Sequence, residues 1–169
     1  MNDDSSHPIE VTVEAEAWNT TVTDPIGLVQ TTAAQTLIEA APAHLRNAQV
    51  SVLLTDDERI RILNHDWRGK DKPTDVLSFP AYDPDVPVPP GMVPELGDIA
   101  VALETVRRDA AAEGRAAEEH LRHMIVHGVL HLLGFDHETG ESDALRMERT
   151  EAMILARFGI ADPYAEAVP

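Results

Sequence analysis

Alternation of apolar and polar residues predicts short β-strands in the first two thirds of the chain. In the first such segment, Ile9, Val11 and Val13 fall on one face, which is the period of a half-buried strand. Four segments carry a strand pattern: residues 8–18, 49–55, 75–79 and 98–103. The last two are expected to flank a long loop, because prolines exclude regular strand pairing there: Pro80, Pro84, Pro87, Pro89, Pro90 and Pro94.

Helical spacing of apolar residues dominates the remaining segments. Helices are predicted over residues 28–45, from Asp56 or Asp57 through Leu63, and over residues 102–113, 115–133 and 141–158. Pro42 is expected near the end of the first helix, and a charged loop over residues 64–73. Gly134 and Gly159 follow the last two helices, where glycine suits a left-handed residue.

This order of elements predicts an α+β fold. A mixed sheet of about four strands would be covered by helices, in a single domain over residues 1–169 with a flexible segment at residues 1–8. The chain has no cysteine, so a metal could be held only by His, Asp or Glu side chains. The first residues lack a signal-peptide pattern, and no apolar run approaches the roughly 20 residues of a membrane span. We therefore expect a cytoplasmic protein without membrane contacts.

The net charge of -17 argues against a protein that coats nucleic acid, because phosphate contacts are made mainly by Lys and Arg. The distribution of the basic residues leaves an alternative open. Of the 13 Lys and Arg residues, five cluster in one segment: Arg59, Arg61, Arg68, Lys70 and Lys72. This cluster could form a local positive patch or a solvated face.

Five of the eight histidines lie within residues 120–137. His127 and His131 are four residues apart, so on a helix both imidazoles can reach one ion. Gly134 would let the chain leave the helix and bring His137 back to the same ion. Three protein ligands leave a fourth position for water, which is the catalytic arrangement of zinc. We predict one zinc ion on a helix in the C-terminal part of the chain and on the turn that follows it.

The other histidines of this segment have different interpretations. Ligands at His123, His127 and His131 would span about 12 Å of helix axis, too far for one tetrahedral ion. His123 is therefore interpreted as a core residue or a partner of a ligand, and His120 as a solvated surface residue. The alternative for the whole cluster is a helix with buried, hydrogen-bonded histidines and no metal.

The spacing HxxxHxxGxxH is that of metzincin proteases, which makes a peptidase the first hypothesis. Those enzymes need a Glu after the first His as general base, and this chain has Gly128 there. Asp136 is the nearest substitute, either accepting a proton or holding a ligand imidazole in the required tautomer.

Three longer motifs point to one family. HGVLHLLGFDH over residues 127–137, LNHDWRGKDKPTDVLSFP over 63–80 and LGDIAV over 96–101 resemble the YbeY endoribonuclease family, and the resemblance spans most of residues 50–164. It implies a single-strand-specific, metal-dependent RNase acting in ribosomal RNA maturation and 70S ribosome quality control. By the same resemblance, His127, His131 and His137 would bind zinc and Arg68 would be the catalytically important arginine. Trp67 and Phe135 stand where the family usually has Tyr, so both should keep an aromatic packing role.

The leading hypothesis is therefore hydrolysis of an RNA phosphodiester, with His127, Arg68 and Asp136 as the catalytic residues. Arg68 can stabilise the negative charge of the transition state, and Lys70 and Lys72 could guide the RNA backbone. The ribosome or a ribosomal protein is the expected partner, and DNA is not expected as a substrate. Two alternatives stay open: a metallohydrolase of another substrate, such as a zincin-like peptidase, and a non-catalytic ribosome-assembly factor with a structural metal.

Overall fold

The protein is described by a computed structural model over residues 8–68, 76–136 and 140–165, and the side chains of residues 67 and 68 lie outside this description. Its four-stranded sheet has the order β1-β2-β4-β3. β1 pairs in parallel with β2 and β2 with β4, whereas β3 is antiparallel to β4. The strands are β1 Ile9–Val13, β2 Gln49–Thr55, β3 Val76–Pro80 and β4 Glu95–Ala102.

Six α-helices accompany this sheet, so the predicted α+β class with a mixed sheet is confirmed for the described residues. The second helix spans Pro25–Ala40 and not the predicted 28–45, because it ends before Pro42 and a separate 3-10 turn follows at Ala43–Leu45. The helices are α1 Trp18–Thr21, α2 Pro25–Ala40, α3 Asp57–Arg68, α4 Leu103–Glu113, α5 Ala117–Leu132 and α6 Glu141–Ala156. In the described part of the chain no helix is both long enough and apolar enough to span a membrane.

Helix α5 is the centre of the core. Ile125 and Val129 on one side of α5 belong to the apolar cluster formed with the sheet and α2. Val126 and Leu130 on another side belong to a second cluster with Met147 and other residues of α6. Burial of so many apolar side chains is the main force that fixes this helix in place. From residue 123 to residue 132 only two side chains are partly exposed, those of His127 and His131.

The structure corrects several boundaries that the sequence suggested. The strand predicted over residues 8–18 ends at Val13, and the buried Trp18 begins the short helix α1, which was not predicted. Strand β4 begins at Glu95 and not at residue 98.

Helix α3 continues to Arg68, so residues 64–68 are helical and not part of a charged loop. Asn64 lies one turn after the buried Ile60 and is itself buried, which extends the packed face of the helix beyond Leu63. At the other end, Asp56 Oδ1 accepts a hydrogen bond from the backbone N–H of Arg59 at 2.9 Å, as expected of a helix cap. The segment expected to be flexible is residues 1–8, and residues 1–7 of it lie outside the described part of the chain.

Candidate active site

Two of the three predicted metal ligands converge on one point. The Nε2 atoms of His127 and His131 are 3.1 Å apart, and the ring centroids are 4.6 Å apart. A tetrahedral zinc ion with Zn–N distances of about 2.0 to 2.1 Å would hold two nitrogens about 3.3 Å apart. The spacing of these two imidazoles therefore fits a shared divalent cation with almost no movement of the rings.

The third predicted ligand, His137, lies outside the described residues. Helix α5 ends at Leu132, and Gly134 has a φ of 97°, a backbone conformation that favours glycine and turns the chain out of the helix. Within residues 8–68, 76–136 and 140–165, no three His, Asp or Glu side chains are placed to hold a metal ion. The described site consists of two histidines, and ligation by His137 stays a prediction.

A buried carboxylate that was not predicted from the sequence contacts His127, the first of the predicted metal ligands. Oε1 of Glu151 on α6 is 2.7 Å from Nδ1 of His127. Its other oxygen, Oε2, is 2.6 Å from Nε2 of His123 and accepts a hydrogen bond from the Tyr164 hydroxyl at 2.6 Å. Glu151 has no exposed surface. A metal-binding histidine commonly donates its other ring N–H to a carboxylate, which leaves the remaining nitrogen free for the metal.

The electrostatics of this cluster favour an ionised carboxylate. Burial by itself raises the pKa of Glu151, but hydrogen bonds with His123 and His127, the electrostatic interaction with His127 and the hydrogen bond from Tyr164 outweigh it and lower the pKa to about 2. Burial and the neighbouring carboxylate raise the pKa of Tyr164. Near neutral pH, Glu151 is therefore an acceptor and Tyr164 a donor.

Of the predictions for His123 and His120, the two histidines of α5 outside the predicted ligand set, one is confirmed and one is wrong. His123 is buried against Glu151, so its interpretation as a core residue is confirmed, while a role as partner of a metal ligand stays a prediction. The expectation of a solvated His120 is wrong, since only 2% of this residue is exposed. Its ring lies against α4, with Nδ1 3.5 Å from a carboxylate oxygen of Glu113. Periodicity places His120 on a helix but does not show that α4 packs over it.

A signal for Glu151 was present in the sequence. Met147, Ile154 and Leu155 are buried at helical spacing on α6, and Glu151 falls within the same stripe. A charged residue is seldom fully buried without a partner. A lone carboxylate in an apolar stripe is therefore a sign of a specific hydrogen-bonding environment, although the partner on α5 is visible only in the fold.

Gly128, next to His127 in the chain, is packed against the sheet. A Cβ atom added there would lie 3.0 to 3.3 Å from three side-chain atoms of Ile99 on β4. Its carbonyl also accepts a hydrogen bond from the Ser78 hydroxyl at 3.4 Å. A Glu at this position would have to displace the buried Ile99, so the general base of the metzincin scheme has no room here.

Asp136 lies in the turn after α5, where the structure describes it as half-buried. It lines a small cleft together with other residues of the turn and of α6: Gly134, Phe135, Asp143 and Arg146. The guanidinium of Arg146 lies 4.5 Å from the centre of the Phe135 ring, and Phe135 also contacts the core, so its predicted packing role is confirmed. The carboxylate that holds Nδ1 of His127 is Glu151 and not Asp136. The suggested roles of Asp136, as a proton acceptor or as the partner of another ligand imidazole, stay predictions.

The basic cluster is described only in part. Arg59 and Arg61 have acidic neighbours, at 3.9 Å from Glu14 and 2.8 Å from Glu58 respectively. Arg68 is the last residue of α3, but its side chain lies outside the description, as do Lys70 and Lys72 altogether. Because the first two arginines are close to carboxylates, the predicted positive patch depends on the other three, and it stays a prediction.

Comparison with known proteins shows the family of this chain. A family model described as Endoribonuclease YbeY matches residues 12–159. The chain belongs to the YbeY family. The Endoribonuclease YbeY of Rhodopseudomonas palustris strain CGA009 is 50% identical over 156 residues, which cover 92% of this chain and 80% of that protein. The Endoribonuclease YbeY of Azorhizobium caulinodans is 47% identical over 158 residues, 93% of this chain and 96% of that protein.

The fold has a counterpart among solved structures. The solution structure of TM1509 from Thermotoga maritima aligns with a TM-score of 0.56 over 94% of this chain and 99% of that one. The two sequences are 23% identical, so this likeness concerns the fold alone. The family expected from the motifs around His127 is thus confirmed, together with the fold class.

Proposed function

We propose that this chain is a zinc-dependent endoribonuclease that cleaves single-stranded RNA. The observation that carries the proposal is the 3.1 Å approach of the His127 and His131 Nε2 atoms, both partly exposed in the otherwise buried stretch 123–132 of α5, in a chain of the YbeY endoribonuclease family. The relatives named above are endoribonucleases by name. The family supports the reaction class, and the paired imidazoles support the cation.

The residues have separate roles in this proposal. His127, His131 and His137 would hold the ion, which when bound supplies a Lewis acid that activates water for attack on a phosphodiester. Arg68 would stabilise negative charge on the phosphate with its guanidinium, a geometry suited to bidentate contacts. Asp136, two residues after Gly134, would either accept a proton or hold a ligand imidazole in the required tautomer.

The biological setting is part of the same proposal. We infer that the substrate is ribosomal RNA and that the enzyme acts in its maturation and in 70S ribosome quality control, in the cytoplasm. A net charge of -17 opposes long-range attraction to RNA. Lys70 and Lys72 could guide the RNA backbone locally, while the ribosome or a ribosomal protein would bring enzyme and substrate together.

Two alternative functions can be distinguished from this proposal by experiment. A zincin-like peptidase is disfavoured because Gly128 packs against Ile99, where that mechanism needs a glutamate. A non-catalytic ribosome-assembly factor would use the metal only to hold its helices together. This alternative predicts that the purified wild-type protein binds the metal but cleaves no RNA.

Metal content and RNA cleavage of the purified protein test the proposal. His127→Ala is expected to lose bound zinc and RNase activity together, whereas Arg68→Ala should keep the metal and lose activity by about 10²-fold. His44→Ala serves as a control, because His44 is a surface histidine near Tyr82 and remote in sequence from the site. Assays would use single-stranded RNA and casein side by side. Full RNA cleavage by metal-free His127→Ala would contradict the proposal, and cleavage of casein alone would favour a peptidase.

A further inference from the structure

We propose that Glu151 is a positioning residue of the metal site, which orients His127 so that its Nε2 atom faces the cation. The inference rests on the proposed function, since it needs a metal at His127 and His131. It extends that function to three residues outside the ligand set: Glu151 itself, His123 and Tyr164. Their part in the site is to hold one imidazole at a fixed angle and in one tautomer.

The two carboxylate oxygens are used differently. Oε1 of Glu151 lies 2.7 Å from Nδ1 of His127, whereas Oε2 is engaged by His123 and Tyr164 at 2.6 Å each. The carboxylate is therefore held from α5 and from the segment after α6. With Oε2 fixed from two directions, Oε1 has little freedom to move away from His127.

The contact determines which nitrogen of His127 can bind a metal. A carboxylate only accepts hydrogen bonds, so the proton of a neutral His127 ring must sit on Nδ1. The Nε2 lone pair then points towards Nε2 of His131, 3.1 Å away. By the same logic His123 carries its proton on Nε2, the atom bonded to Glu151. Nε2 of His123, one turn before His127, is thus committed to Glu151, and this ring supports the site through the carboxylate.

Stability alone does not account for a carboxylate at this position. Glu151 is completely buried in a helix face whose neighbours Met147, Ile154 and Leu155 are apolar. Removing a charge from water is costly, and well-packed apolar residues often stabilise a protein as much as a buried ionic network. A polar cluster that instead ends on Nδ1 of His127 is what orientation of a metal ligand requires.

The affinity for Zn²⁺ alone, measured by competition with a chromophoric chelator, tests this inference on the full-length protein. Glu151→Gln keeps the size of the side chain but lacks the negative charge, and it should weaken Zn²⁺ binding by about 10- to 100-fold. Tyr164→Phe leaves the contact between Glu151 and His127 in place, so a much smaller loss is expected. Met147→Ala is the matched control, because it removes an apolar side chain from the same buried stripe of α6 and takes away none of the hydrogen bonds of Glu151.

A second readout separates orientation from general loosening of the helix. The visible absorption of Co²⁺ bound in place of Zn²⁺ reports the geometry of the ligands. We expect this spectrum to change in Glu151→Gln and to stay like wild type in Met147→Ala, even where both variants lose thermal stability to the same extent. Glu151→Asp, which keeps the charge on a shorter side chain, should recover part of the affinity lost in the Gln variant.

The outcomes distinguish this inference from the proposed function. A wild-type protein that binds no Zn²⁺ would overturn both. Tight binding by wild type with unchanged affinity and Co²⁺ spectrum in Glu151→Gln would overturn the positioning role alone and leave the metal site standing. Equal losses of affinity in Glu151→Gln and Met147→Ala would also overturn it, because they would show that only the packing of α6 matters.

Discussion

Glu151 on α6 and Asp57 at the start of α3 each accept hydrogen bonds from three groups, and the pKa of each carboxyl lies below its ordinary value. Asp57 accepts from the backbone N–H and hydroxyl of Thr105 and from the guanidinium of Arg108. It is half-buried, and Arg108 is exposed. Glu151 is fully buried, and two of its partners are histidines.

The difference lies in what each carboxylate holds. Asp57 joins the start of α3 to the start of α4, and its own backbone N–H donates to Glu104 at 3.1 Å in return. Burial raises the pKa of Asp57, but hydrogen bonds from Thr105 and Arg108 outweigh this effect. Such a partly solvated network links two helices but adds little to the free energy of unfolding. Glu151, with similar hydrogen bonding, is shielded from water and ends on a candidate metal ligand.

The largest effect is expected when a carboxylate is placed where packing leaves no room. Gly128→Glu would put one next to His127 on α5, but against Ile99 instead of facing the site. Overpacking and burial of a charge should lower the free energy of unfolding by about 4 kcal/mol or more. Urea denaturation would measure this. Gly128→Ala is the control, because its Cβ needs only a small shift of Ile99 and gains helix propensity. A stable Gly128→Glu protein that hydrolyses casein would reverse our assessment of the peptidase alternative.

An intermediate effect, dependent on pH, is expected at Glu151. Its folded pKa of about 2 lies below the ordinary value of 4.5, so its stabilisation is complete above pH 4.5 and is lost as the pH falls towards 2. Glu151→Gln should therefore unfold more easily than wild type at neutral pH, by about 2 kcal/mol, and the difference should shrink below pH 4.5. Urea denaturation of chelator-treated protein between pH 3 and 7 would measure it. A difference that grows towards low pH would show that the sign is wrong.

The smallest effect is expected at Asp57. Because its pKa is lowered from 3.8, its contribution is likewise present above that pH and lost below it. Asp57→Asn should cost about 1 kcal/mol of unfolding free energy at neutral pH. High salt should reduce this cost, since the Arg108 partner is exposed, while the cost at the buried Glu151 should change little. Equal salt sensitivity of both variants would remove the distinction between the two carboxylates.

Much of the fold follows from local pattern. Strand β2 spans Gln49–Thr55 as its apolar run predicts, and α5 differs from its predicted span of 115–133 by one or two residues at each end. The metal hypothesis also needed only local geometry, because a four-residue spacing places His127 and His131 on one helix face in any fold.

The predictions that failed depend on packing between different elements. His120 is buried because α4 packs over it, and α3 extends past Leu63 because Asn64 lies on its buried face. Neither contact has a signature in the residues next to it. The partner of Glu151 is 24 residues away, beyond the turn at Gly134.

The amino-acid pattern was thus sufficient for the family, the paired imidazoles and the existence of every strand and helix except α1, since each depends on spacing within one segment. The packing of α6 against α5 decided the rest. This packing places Glu151 within hydrogen-bonding distance of both His127 and His123. Hydrogen bonds between helices depend on which faces meet, and burial of the surrounding apolar residues determines which faces meet.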